Sequence, residues 1–284
     1  MAAGRMVRDI VREDGKRRHQ VLQSVTFDRK FLKNWSPGMA WVLGLLYTDG
    51  NLSRVSKSGL GDGRAEWRVS LFQKEPEVLV KVRELLNCNA NLYFRRKVGI
   101  RGELHTLRIS DKELFDDLVS LGLHPRKSST VRFPASIPVE CVPHFIRGCW
   151  DGDGSVHTRE SAPRENTAAS FVTGSEQFAR DMLKYLGDLG LPEVSLHRGR
   201  GAFSFKYHGA NCALLARVLY KDADASIWLN RKEEIFGTIA RSFSESEIEY
   251  ARGRSAWWAM RRAEWRKLSS EMRQSVSDIC ESPS

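Results

Sequence analysis

Residues 38–52 read GMAWVLGLLYTDGNL and residues 143–156 read PHFIRGCWDGDGSV. Laid over each other they align Gly44 with Gly148, Asp49 with Asp153 and Gly50 with Gly154, at a constant offset of 104. A repeat of this kind governs how every other segment is read. Each copy is an apolar run with a helix start before it: Ser36-Pro37 supplies an N-cap and a proline at the first helical position, and Pro143 plays the same part in the second copy. Gly44 and Gly148 fall in the helix interiors, where glycine costs about 1 kcal/mol relative to alanine. Close approach of two backbones offsets that cost. Crossing the two helices at their glycines as a pseudo-twofold pair brings their C-terminal ends together, with Asp49 and Asp153 beside the shared axis.

The repeat extends outward from these helices. After the first copy come strands near 51–57 and 66–72, a helix near 75–87, strands near 91–97 and 103–109, and a helix near 111–121. After the second come strands near 155–159 and 168–173, a helix near 175–188, strands near 193–198 and 202–207, and a helix near 210–220. The strands follow from alternation, as in Trp67, Val69 and Leu71 against Arg68 and Ser70. The helices follow from spacings such as Val78, Val82, Leu85 and Leu86. The expected architecture is α+β: two αββαββα half-domains packed through the repeated helices. The chain divides into a basic arm (1–35), a first half-domain (36–138), a second (139–240) and a helical extension (241–284).

A helix C-terminus carries partial negative charge, so an aspartate there calls for a cation. One isolated Asp-Gly merely turns the chain. Two, each closing an apolar helix and each followed by the same run of elements, point to a shared site. Hard oxygen ligands select a Mg²⁺-like ion, and the free carbonyls of the last turn, at Thr48 and Gly152, are further ligands.

The 284 residues include 45 Lys+Arg against 35 Asp+Glu, a net charge of +10, which favours a polyanionic partner. The excess is densest in residues 1–35, with nine basic against four acidic side chains, so the arm reads as a flexible tail touching phosphates or as a solvated lead-in. Five scattered cysteines form no CxxC pair, which argues against a disulfide framework or zinc knuckle and for a reducing compartment. No run has the length of a membrane span and the first residues lack a secretory apolar core, so an intracellular protein without a membrane partner is expected. The absence of a Gly-rich phosphate loop, a His-rich site or a GxSxG elbow leaves little support for a metabolic enzyme.

VLGLLYTDG (42–50) and IRGCWDGDG (146–154) resemble the two motifs of the LAGLIDADG homing endonucleases in their single-chain form. The resemblance covers roughly residues 36–235. It implies motif helices at a central interface, two antiparallel sheets forming a DNA-binding saddle, and Asp49 and Asp153 as metal ligands. The earlier acidic position of the motif, Tyr47 in one copy and Asp151 in the other, is not the essential ligand in that family. The resemblance further points to Gln73 as a residue that positions water, with Thr173 or Gly174 in the matching stretch of the second half. It points to Lys206, with Arg108 as its first-half counterpart, as the basic group near the scissile phosphate. The implied activity is Mg²⁺-dependent double-strand cleavage of a long non-palindromic DNA site by a monomer. Mn²⁺ would substitute, and Ca²⁺ would support binding without cleavage. The rival readings on the same scaffold are an RNA maturase acting on intron RNA and a DNA-binding protein that does not cut.

Basic side chains expected on the outward strand faces are Arg54, Lys57, Arg68, Arg95, Arg96 and Lys97 in the first half. In the second they are His157, Arg159, His197, Arg198, Arg200 and Lys206. Arginine there can read guanine bidentately while other cations hold phosphates. Beyond residue 243, Trp258, Trp265, Leu268, Met272, Val276 and Ile279 form an amphipathic stripe. It suits a helix docked on the core, or an added contact element bearing Arg261, Arg262, Arg266 and Lys267.

Overall fold

The computed structural model describes residues 7–11, 17–21, 24–56, 65–96, 103–159, 161–162, 164, 166–253, 261 and 264. Two compact units emerge, Met1–Asn34 with Gly50–Val119, and Trp35–Asp49 with Ser120–Ser284. The first repeated helix therefore sorts with the second unit, although the repeat assigns it to the first half. Lys57, Lys97, Arg262, Arg266, Lys267 and the six residues of the C-terminal stripe lie outside the described residues.

In the first unit, Val7–Val11 (β1) and Arg17–Val21 (β2) pair antiparallel, and the lead-in that follows is tied down. Thr26 N–H donates to Asn89 Oδ1 at 2.8 Å, and Arg29 pairs with Asp111 at 2.7 Å and Glu113 at 2.9 Å. Among the described residues of the arm, a strand pair and a salt-bridged segment are therefore present. The main sheet orders Gly50–Ser56 (β3), Ala65–Gln73 (β4), Glu103–Ser110 (β6) and Leu92–Arg96 (β5) as β3-β4-β6-β5, all antiparallel. Helices Pro76–Leu85 (α2) and Lys112–Ser120 (α3) bury Val78, Leu79, Val82, Leu114, Phe115 and Leu118. Trp67 of β4 meets Phe115 of α3 edge to face at 4.9 Å.

The second unit contains Pro37–Asp49 (α1) and Val142–Asp153 (α4), the two repeated helices. Every residue from Met39 to Tyr47 is buried, as are His144 to Asp151; α1 is apolar nearly all round because it is enclosed nearly all round, while α4 also buries His144, Arg147 and Asp151. Their glycines are where they touch. A Cβ on Gly44 would stand 2.7 Å from Cys149 N and collide with the Phe145 carbonyl; one on Gly148 would collide with the Trp41 carbonyl. A second sheet orders Ser155–His157 (β7), Ala168–Thr173 (β8), Phe203–His208 (β10) and His197–Arg198 (β9) as β7-β8-β10-β9. Glu176–Asp188 (α5), Ala210–Tyr220 (α6) and Asn230–Ser242 (α7) complete the unit, followed by a helix over 245–253. Phe171 and Phe205 of this sheet pack on Trp150 of α4 at 5.5 and 6.0 Å.

A buried polar cluster runs beside α4. Arg147, fully enclosed, donates through Nε to Ile227 O at 2.8 Å and through Nη1 to Leu219 O at 2.5 Å, and its Nη2 meets His144 Nδ1 at 2.9 Å. Burial, with the Arg147 charge adding to it, pushes the His144 imidazole down to about 4, against opposing pulls from Asp222 and Asp224.

Two outcomes are expected in urea unfolding. Gly44→Ala should lose about 1–3 kcal/mol through overpacking against backbone. Gly187→Ala, in the open last turn of α5 with nothing within 4 Å, should be neutral or gain up to about 1 kcal/mol; equal losses would contradict the close-contact account. Because His144 stays neutral in the folded state while the unfolded chain protonates near 6.5, stability should fall as pH drops from about 6.5 towards 4. The loss is up to about 3 kcal/mol, and His144→Gln should flatten that slope.

Candidate active site

The site is built on two helix ends. Asp49 closes α1 and Asp153 closes α4, and the chain turns into β3 and β7 at Gly50 and Gly154. The ends are in contact: a Cβ on Gly152 would lie 2.9 Å from Asp49 Oδ2 and collide with Thr48 Oγ1. Glycine at 152 thus leaves the space that the Asp49 carboxylate occupies beside the neighbour of Asp153. Burial pushes the Asp153 carboxyl up, against the pull of Lys127 and then Lys232. The residue nonetheless keeps one side open to solvent, as a group that meets a ligand must.

Those two lysines are the residues that sequence reasoning missed. Lys127 opens the short 3₁₀ turn Lys127–Ser129 and is buried, its Nζ donating to Thr48 O at 3.0 Å. Burial lowers its affinity for a proton, and the charges of Asp153 and Asp49 raise it again. Lys232, in the first turn of α7 and also buried, donates to Trp150 O at 2.6 Å, Asp151 O at 2.8 Å and Gly154 O at 2.6 Å. Each motif helix therefore ends against a buried ammonium, which offsets the negative pole of the helix and of its aspartate. A signal was present in the sequence: Arg126-Lys127 recurs as Arg231-Lys232, at an offset one greater than that of the motifs. Gly174, expected as a counterpart of Gln73, has another part. A Cβ there would stand 2.5 Å from Ser128 O, so glycine lets β8 abut the turn that carries Lys127.

The donor set suits a hard divalent cation. Both carboxylates act on Lys127, and the nearby groups are carbonyl and hydroxyl oxygens, with no cluster of three or more His, Cys, Asp or Glu side chains among the described residues. Such a pair leaves most of the coordination sphere to water and phosphate oxygens, as Mg²⁺ prefers. Thr48 O, expected as a free ligand, already accepts from Lys127; its second lone pair remains. Gly152 O lies 3.5 Å from Lys232 Nζ.

Strand register sorts the expected DNA contacts. In the first sheet, Ser70 faces Asn51 on one side and Arg108 on the other, while Arg68 faces Ser53 and Ser110, so Arg68 and Arg108 share the face turned away from α2 and α3. Arg108 lies over the exposed Tyr93 ring at 5.5 Å, and Arg68 pairs with Glu66 at 3.0 Å. Arg54 is on the opposite face, paired with Trp67 and stacked on its ring at 4.8 Å, which corrects its expected outward placement. Gln73 is on that same inner face, buried and opposite His105. Arg95 and Arg96 are backbone positions of the edge strand β5.

In the second sheet, Ser155, Ser170 and Lys206 form the row matching Asn51, Ser70 and Arg108, and His157, Ala168 and His208 form the next. Lys206 and His157 are exposed there, and His197 joins the same face opposite Ser204. Arg198, opposite Phe203, is one residue out of phase and points to the other side of the edge strand. Arg159 and Arg200 are exposed in the loops flanking the strands. The basic groups acting on Asp153 are Lys127 and Lys232. Among the described residues, no helix is long and apolar enough to cross a membrane.

Residues 140–205 match the family described as LAGLIDADG-like domain. No curated protein matches the sequence. Among solved structures, mesophilic variants of the homing endonuclease I-DmoI superpose with a TM-score of 0.50 at 16% identity, covering 71% of this chain and 97% of that one. The LAGLIDADG meganuclease I-AabMI bound to uncleaved DNA gives 0.44 at 13% identity, over 78% and 92%. The homing endonuclease I-WcaI bound to its DNA recognition sequence gives 0.46 at 10%, over 70% and 89%. Residues 140–205 are thus similar to the LAGLIDADG-like domain, and over 71% of its length the chain shares the fold of the homing endonuclease I-DmoI.

Proposed function

We propose that this protein is a metal-dependent, site-specific DNA endonuclease that cuts both strands of a long, asymmetric target as a monomer. The observation that carries the reading is that the two abutting helix ends carry Asp49 and Asp153 and that each end is backed by a buried lysine. The lysines cap the helix ends and offset the aspartate charges, and the same pairing of carboxylates with fixed positive charge suits metal-assisted phosphodiester hydrolysis.

Mg²⁺ held by Asp49 and Asp153 would supply a Lewis acid and a water of lowered pKa. The chain's own groups do the rest. Lys127 spends one of its three donors on Thr48 O, and its ammonium would stabilise a phosphate oxygen where charge builds up in the transition state. Lys232 spends its donors on α4 carbonyls and acts mainly by its fixed charge. The outward faces suit DNA, with Arg68 and Arg108 over one half-site and His157, His197 and Lys206 over the other. Arginine can read guanine edges, and Lys206 can hold phosphate.

The test is selection of cleavable duplexes from a randomised library with Mg²⁺, beside Asp49→Asn, Asp153→Asn and a Ca²⁺ control. One long asymmetric site, cut on both strands by the parent and lost or reduced to nicking in either variant, is the expected result. Lys127→Met should slow cleavage about 100-fold or more. Duplex affinity should fall with salt at a log–log slope of about −0.9 per phosphate neutralised. Tight, salt-sensitive binding without cleavage in any metal would sink the nuclease reading and make structured RNA the next ligand to test.

A further inference from the structure

The residue two positions before each motif aspartate is Tyr47 in the first copy and Asp151 in the second. Both are buried. Each grips the backbone of the segment that brings in the lysine of its own helix. Tyr47 donates its hydroxyl to Leu121 O at 2.6 Å. The next residue, Gly122, has a left-handed backbone (φ 96°), and a Cβ there would stand 2.6 Å from the same hydroxyl, so no side chain fits between them. Six residues after Leu121, Lys127 returns to α1 at Thr48, directly after Tyr47.

The second half repeats this layout with different chemistry. Asp151 Oδ2 accepts from Leu229 N–H at 3.0 Å, at the N-cap of α7, and from Trp41 Nε1 of α1 at 2.8 Å. Three residues on, Lys232 returns to α4 at the Asp151 carbonyl itself. Arg147, one turn earlier on α4, grips Ile227 O in the same incoming segment.

We propose that Tyr47 and Asp151 are positioning residues, each setting where one active-site lysine stands: Tyr47 for Lys127 and Asp151 for Lys232. The difference between the copies follows from the partner presented. A carbonyl needs a donor and meets tyrosine, while an N–H needs an acceptor and meets aspartate. An aspartate at 47 would face Leu121 O with a second acceptor, so the two residues are not interchangeable. The catalytic half of this inference rests on the endonuclease reading; the positioning half rests on geometry alone.

The test pairs two readouts. Hydrogen exchange followed by mass spectrometry on the intact free protein is expected to show exchange over residues 121–130 rising about tenfold or more in Tyr47→Phe, with 227–236 unchanged. Asp151→Ala should do the reverse, and Asp151→Asn, which retains a carbonyl acceptor, should stay near the parent. Tyr47→Phe keeps the ring packed on Phe145 and Phe178 and loses only the hydroxyl, so it carries the test even if Asp151→Ala fails to fold.

On the duplex selected above, each variant should slow single-turnover cleavage of one strand, the same strand that Asp49→Asn (for Tyr47) or Asp153→Asn (for Asp151) protects, with DNA affinity unchanged. A general loss of stability would slow both strands alike. Exchange that rises in both segments together, or in neither, overturns the proposal. If the parent cuts no duplex, the endonuclease reading falls, and the exchange experiment still decides whether these residues seat the lysine segments.

Discussion

Backbone contact between α1 and α4 is the constraint on which the second unit depends. Gly44 and Gly148 allow it, since a Cβ at either would strike main-chain atoms of the other helix. The same closeness recurs at the C-terminal ends, where Gly152 leaves space for the Asp49 carboxylate. Glycine inside a helix is unfavourable by about 1 kcal/mol, and the close approach of the two helices at all three positions offsets that cost.

Nearness has an electrostatic consequence. Two helix C-termini and two carboxylates at one spot concentrate negative charge, and the protein answers with Lys127 and Lys232, both buried against the carbonyls they cap. Burying an ammonium is costly unless its donors are satisfied, which explains why Lys232 reaches three carbonyls at 2.8 Å or closer. The lysines thereby compensate the acids and carbonyls gathered at the helix ends. The arrangement also makes the halves unequal, because Lys127 has one capping bond and Lys232 several.

Much of this was legible in the sequence. The repeat, its glycines and its two aspartates gave the element order and the helix pair, because a glycine in an apolar helix and an acid at its end are local signals. Strand alternation placed Arg68 and Lys206 on the outward faces. It misplaced Arg54 and Arg198, because a residue near a strand end takes its side from the register with its neighbour, here Trp67 or Phe203, and register is a long-range property. Lys127 and Lys232 escaped notice for a related reason. Each enters the site from a segment remote in sequence, and a buried lysine looks like any surface lysine until its carbonyl partners are known. Gln73 and Arg108 were taken from family resemblance, and register separates them onto opposite faces of one sheet.

The central claim is that Asp49 and Asp153 share one metal-binding locus. Anomalous diffraction from crystals grown with target duplex and Mn²⁺ addresses it directly. The account predicts peaks within about 2.0–2.3 Å of carboxylate oxygens from both aspartates, at the abutting ends of α1 and α4. Peaks bound by other side chains, or none at these carboxylates in crystals whose DNA has been cut, would contradict it.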